Sequence, residues 1–196
     1  MKQKAFILIG RSGCGKGTQS ELIKKRLAGL DPERPMLSVQ TGAEFREFIK
    51  GDSTTQKLSH AAYTADILQP EFLSVYMWIN VLIREYKNGE HLMFDGTPRR
   101  RHEAGVLDSI FDFYGIEKPI VINVDVGAEW ATTRLSARGR MDDGKDDIAK
   151  RLAWYETDVV PTIEFYRNNP RYNFIQVNGE RSVDEIHAEI VEKAGL

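Results

Sequence analysis

The stretch Gly10-Arg11-Ser12-Gly13-Cys14-Gly15-Lys16-Gly17-Thr18 decides the fold. It follows a short apolar run, Ala5-Phe6-Ile7-Leu8-Ile9, that reads as a buried strand. It opens residues 18–27, where Leu22, Ile23 and Leu27 recur at helical spacing. Strand, glycine-rich turn and helix in that order are the context a phosphate loop requires. The glycines let backbone N–H groups turn inward with no Cβ in the way, the helix N-terminus adds positive potential, and Lys16 can reach the β- and γ-phosphates of a nucleotide. An ordinary strand-to-helix turn would need neither the lysine nor its spacing. Cys14 reads as a small loop filler rather than a nucleophile, because phosphoryl transfer in such sites needs no covalent intermediate.

Outward from this loop, short apolar runs recur at residues 36–39, 91–94, 120–126 and 172–177. Between them, helical patterns are expected over 43–50, 55–64, 70–86, 103–114, 128–138, 146–166 and 183–193. Strands alternating with helices predict an α/β fold of three layers, a central five-stranded parallel sheet covered on both faces. Residues 42–70 and the charged, glycine-punctuated 136–147 look less committed to the core and are candidates for mobile covers over a site.

With 196 residues, 41% of them hydrophobic, one domain over 1–196 is expected. Lys and Arg number 27 against 29 Asp and Glu, so the nearly neutral field gives no reason to expect binding to nucleic acid or to an anionic membrane. Anion chemistry must therefore come from local clusters. The apolar runs are far too short to span a bilayer, and the single cysteine excludes both an intramolecular disulfide and a multi-cysteine zinc site. A soluble, cytoplasmic protein is expected.

The loop departs from the general GxxxxGK[ST] form because Gly17 stands between Lys16 and Thr18. This GxxGxGKGTQ spelling resembles the adenylate kinase family of nucleoside-monophosphate kinases, with Ser12 where proline is usual. Three further segments carry the resemblance along nearly the whole chain. Thr41-Gly42-Ala43-Glu44-Phe45-Arg46 looks like the start of the family's monophosphate-binding flap, here about 42–71. Asp95-Gly96-Thr97-Pro98-Arg99 is similar to its DGxPR element, and Arg134 to Asp143 with Arg151 resembles its lid, here a short form at about 136–147.

The resemblance implies reversible phosphoryl transfer from Mg·ATP to AMP in a closed site that excludes water. Gly13, Cys14, Gly15, Lys16, Gly17 and Thr18, with Arg134 and Arg138, would hold ATP. Thr41, Gly42, Arg46, Gln69, Arg99 and Glu103 would hold AMP. Lys16, Arg99, Arg138, Arg140 and Arg151 would be catalytic, since the loose transition state spreads charge over oxygens that cations stabilise. Asp95 would organise Mg²⁺ through water, with Thr18 a second candidate. Asp142 and Asp143 would either anchor the lid or form a solvated acidic turn. Arg100 and Arg101 are expected as a solvated basic turn. No zinc and a monomeric state are implied.

Gathering so many arginines around one cavity is self-repulsive unless an anion compensates, and the phosphates of two nucleotides would do so. The discordant position is Glu103, where the family pattern has a glutamine reading the adenine edge. An ionised carboxylate only accepts hydrogen bonds, whereas the edge of adenine offers one donor and one acceptor. Guanine offers two donors, so GMP is a competing acceptor, and CMP or UMP is a third. Alternatively Glu103 faces solvent, and Gln40, Gln69 or backbone groups read the base. Asp66 and Gln69 also stand where the family more often has glycine and valine. A noncatalytic or hydrolytic P-loop switch is the reading of a different class.

Overall fold

Every residue of β1 (Ala5–Ile9) is buried. Its side chains divide between two cores, Phe6 and Leu8 on one side of the sheet and Ile7 and Ile9 on the other. A strand covered on both faces has no solvent side to alternate with, which is why its sequence is continuously apolar. The fold is seen in a computed structural model describing residues 1–65, 67–87, 89–138 and 145–196, of which residues 138 and 145–147 are described by backbone alone.

β1 is the middle of the sheet. With β2 (Met36–Val39), β3 (His91–Asp95), β4 (Ile120–Asp125) and β5 (Asn173–Asn178) it forms the order β2-β3-β1-β4-β5, every pairing parallel. Chain connections therefore leave β1 and its neighbour β4 toward opposite edges. A crevice opens beyond the strands' carboxyl ends at that switch point. One face is covered by α1 (Lys16–Leu30), α6 (Ala128–Arg138) and α9 (Val183–Ala194), through Ile23, Leu27, Ala131, Ile186 and Ile190. The other is covered by α4 (Glu71–Glu85), α5 (Arg101–Phe113) and α8 (Val160–Arg167), through Trp78, Leu82, Leu107, Phe111 and Ile163. The expected three-layer α/β architecture with five parallel strands is what the chain forms.

Two more helices, α2 (Thr41–Phe48) and α3 (Thr54–Thr64), occupy the expected flap. Ser53 and Gln56 start α3 with a reciprocal capping box. Phe45 of α2 packs with Leu73 and Met77 of α4, a small core separate from the two sheet cores. Among the described residues no helix is long and apolar enough to cross a membrane.

The single helix expected over 146–166 is in fact three pieces: α7 (Lys145–Trp154), a π-helical turn (Tyr155–Val159) and α8. Pro161 is the cause. It has no N–H to donate to the carbonyl four residues back, and its ring crowds that carbonyl. The ladder relaxes into one wider turn, closed by the Val160 N–H on Tyr155 O. Residues 139–144 of the expected lid lie outside the described residues, as does Asp66.

The aromatic centre of the second core offers a direct test of this packing. Phe111 is fully buried and meets Phe94 and Tyr172 edge to face, with centroids 5.8 and 6.5 Å away. Phe111→Ala should cost about 3–5 kcal/mol of unfolding free energy, read as a fall in the urea midpoint at unchanged slope. A loss under about 1 kcal/mol would contradict that packing.

Candidate active site

The phosphate loop is built by backbone conformations that need glycine. Gly10 has φ 144°, and a Cβ on it would lie 2.4 Å from Val124 O on the neighbouring strand. Gly15, the N-cap of α1, sits in the left-handed region at φ 96°. Cys14 is 2% exposed and packs inward beneath the loop, so it serves as filler. Lys16 begins α1 and folds back over the loop. Its Nζ donates to Gly10 O at 2.7 Å and Arg11 O at 2.8 Å. The ammonium thus lies within the ring that the loop describes.

Asp95 ends β3, one strand over. It pairs in register with Leu8, and the following Gly96 N–H donates to Leu8 O. This brings the carboxylate over the start of α1, where an ideal Cβ on Gly17 would be 3.7 Å from Asp95 Oδ2. Burial pushes the Asp95 carboxyl up, while Lys16 and Arg99 pull it down.

The loop after β3 is fastened from several sides. Arg99 N–H donates to Glu103 Oε2 at 3.0 Å, and Arg99 O accepts from Thr162 Oγ1 at 2.9 Å. The backbone of Arg99 is thereby fixed before its side chain is considered. That side chain donates from Nε to Gly96 O at 2.9 Å and lies 5.3 Å from the ring centroid of Trp154. Glu103 itself is 1% exposed. Burial pushes its carboxyl up, opposed by the Arg99 N–H and by the charges of Arg99 and Arg100.

One cavity of about 1060 Å³ joins these parts. It is somewhat larger than the ~300–1000 Å³ usual for a small-molecule site. Gly13, Cys14, Gly15, Lys16, Gly17 and Thr18 line it, as do Thr41, Gly42, Arg46, Gln69, Asp95, Arg99, Glu103, Arg134 and Arg151. The candidates read from sequence are therefore brought together, with four exceptions. Arg140, Asp142 and Asp143 lie outside the described residues, and so does the side chain of Arg138.

Within the cavity the arginines differ. Arg46, on α2, is exposed and lies against Gly42. Arg134 stacks over Trp130 at 4.8 Å, and Arg151 is buried at 8% exposure. The Gln69 amide is engaged on Ser59, accepting from Ser59 Oγ at 2.9 Å and donating to Ser59 O at 3.0 Å. Gln69 thus ties the chain just before α4 to α3. Glu103 is not a solvent-facing helix residue; it lines the cavity with one oxygen already on Arg99.

Sequence reading missed four residues. Arg100, expected in a solvated turn, is half-buried and bonds Asp158 and Gln69 O, each at 2.9 Å. Arg101 does lie at the surface, stacked over Phe165 at 3.5 Å. Trp130 and Trp154 back Arg134 and Arg99, and Arg11 lies 4.1 Å over the Tyr155 ring. The tryptophans carried a usable signal, since large aromatics beside predicted arginines on amphipathic helices are candidates for stacking. The Arg100 partner comes from 58 residues away and had none.

A phosphate loop at the switch point of a parallel sheet, facing a second basic lobe across one cavity, defines a nucleotide-phosphate-binding α/β enzyme. The sequence narrows this further. Residues 8–171 match the family model described as adenylate kinase, and the chain belongs to the adenylate kinase family, within the nucleoside-monophosphate kinases. It is 31% identical over 190 residues to the adenylate kinase of Phocaeicola vulgatus, covering 95% of each chain. It is 29% identical over 192 residues to that of Corynebacterium diphtheriae, covering 97% of this chain and 98% of the other. Against the adenylate kinase of Azobacteroides pseudotrichonymphae it is 29% identical over 190 residues, covering 95% and 94%.

Proposed function

We propose that this kinase moves the γ-phosphoryl group of Mg·ATP directly onto AMP, giving two ADP. The observation that carries the reading is the single cavity shared by the phosphate loop and by the set Thr41, Gly42, Arg46, Arg99 and Glu103. An acceptor phosphate oxygen attacks the γ-phosphorus while the bond to the β–γ bridging oxygen breaks, and the bridging oxygen stays with the departing ADP. Lys16 and the loop amides hold the donor phosphates in line. Arg46 and Arg99 hold the acceptor, because a guanidinium fork meets phosphate oxygens two at a time. Arg134, Arg138, Arg140 and Arg151 supply positive charge as the transferred group spreads its own.

Asp95, a carboxylate beside the loop, suits a magnesium site and would hold the ion through water while the nucleotide supplies phosphate oxygens. Mg²⁺ bound there would neutralise charge on the β- and γ-oxygens. Closure of the flap and lid over the cavity would keep water from competing as acceptor. We read the enzyme as a cytoplasmic monomer, a reading supported by its family and by a single cysteine that suits a reducing compartment.

The acceptor follows from rates with AMP, GMP, CMP and UMP at saturating Mg·ATP. AMP is expected to give the largest kcat/KM. A preference for GMP would overturn the assignment, and phosphate release that needs no monophosphate would replace the kinase reading with a hydrolase. Glu103→Gln should raise kcat/KM for AMP about 5- to 150-fold, the worth of one repaired hydrogen bond at roughly 1–3 kcal/mol. The same variant tests the buried carboxyl. Its folded pKa lies above the ordinary 4.5, so Glu103 favours the fold while protonated and opposes it once ionised. The difference in urea midpoint between Glu103→Gln and wild type should therefore move in favour of the variant as pH rises through about 4.5 and level off above the raised folded pKa.

A further inference from the structure

The π-helical turn meets arginines from both sides of the cavity. On the donor side, Arg11 of the phosphate loop lies over Tyr155 and bonds Glu156 Oε1 at 2.6 Å. On the acceptor side, Arg99 lies against Trp154, and Arg100 bonds Asp158. Trp154 is the last residue of α7 and Asp158 stands four residues on, so both project to one side of the chain. A proline-forced irregularity thus presents aromatic faces and carboxylates to three guanidinium groups.

Two of the contacts made to the adjacent arginines differ in kind. Asp158 meets Arg100 along the N–H edge and neutralises it, and Arg100 Nη1 spends a further hydrogen bond on Gln69 O. That pairing makes Arg100 a strap between the π-turn and the end of the flap. Trp154 offers Arg99 an aromatic face. A ring face attracts the flat side of a guanidinium, perpendicular to the plane in which its N–H groups point. A carboxylate in the same place would compete with a phosphate for those donors, and the indole does not.

We propose that Trp154, carried by the helix end that the π-turn distorts, is a positioning residue for Arg99, orienting its guanidinium for the phosphate of the acceptor monophosphate. This rests on the acceptor reading given above. The contact orients one end of one substrate, so it acts on the acceptor and leaves the donor site, formed around Lys16, to itself. Arg100 and Asp158 hold the neighbouring backbone.

Wild-type enzyme is first assayed for ADP formation dependent on a monophosphate; without it the acceptor reading fails and this inference falls with it. With it, Trp154→Leu should raise KM for the monophosphate about tenfold, within what a desolvated cation–π contact supplies, with KM for ATP changed less than twofold. Trp154→Phe, which keeps a ring face, should recover most of that loss. Equal rises in both KM values, an unchanged KM for the monophosphate, or a Trp154→Phe variant as poor as Trp154→Leu would each overturn the inference. A second readout uses only the conservative variant. The change in tryptophan emission when monophosphate is added to wild type should largely vanish in Trp154→Phe, while that on adding ATP persists. An undiminished monophosphate response there would also overturn it.

Discussion

Lys16→Met is expected to lower kcat/KM for ATP by about 10³-fold while leaving the fold intact. Its ammonium is held inside the loop by Gly10 O and Arg11 O at 2.7 and 2.8 Å. Both bonds are only part-buried, so water can take the lysine's place and their loss should cost only about 1 kcal/mol of stability. Methionine keeps the length of the stem and removes the charge. The catalytic loss is much larger, because one oriented donor to a developing charge is worth about 10²–10³ in rate in a site that excludes water, and here a full positive charge is lost. The measurement is ADP formation with Mg·ATP and AMP, beside the urea midpoint of the same preparation. A variant within about threefold of wild type in rate would remove Lys16 from the phosphate site. A collapsed midpoint would instead make the lysine a structural clamp of the loop.

What the sequence disclosed and what it hid follow one physical line. β1, the phosphate loop and the beginning of α1 were legible because each is determined locally: a two-sided apolar strand, glycines forced by close approach, a lysine at fixed spacing. The other strands appeared as runs such as 36–39 and 120–126 for the same reason. The order β2-β3-β1-β4-β5 is not local, but α/β alternation leaves few alternatives once all strands are parallel. The π-turn was hidden because periodicity over 146–166 is satisfied by a continuous helix, and only Pro161 marks the defect. Arg100 was hidden because a guanidinium in sequence is the same whether water or Asp158 stands beside it. Glu103 was flagged as discordant, yet its burial and its bond to the Arg99 N–H depend on tertiary packing that no spacing reveals.

Arg99→Ala should lower kcat/KM for the monophosphate by about 10²–10⁴-fold, with KM for ATP little changed. The backbone at this position is fixed independently of the side chain, through Glu103 on the N–H and Thr162 on the carbonyl, and both bonds survive truncation. Stability should therefore fall by only about 1–2 kcal/mol, since the bond to Gly96 O and the contact with Trp154 are lost. What disappears is a planar fork able to meet two phosphate oxygens, worth considerably more against a dianion in a cavity of low dielectric than in water. Arg99→Lys separates geometry from charge. Lysine restores the positive charge as a single point without the fork or the flat face that meets Trp154, so it should recover only a small part of the loss. If Arg99→Lys instead matched wild type, charge alone would suffice and the positioning assigned to Trp154 would have nothing to orient. If Arg99→Ala matched wild type, the acceptor phosphate would have to be held elsewhere in the cavity, with Arg46 the next residue to replace.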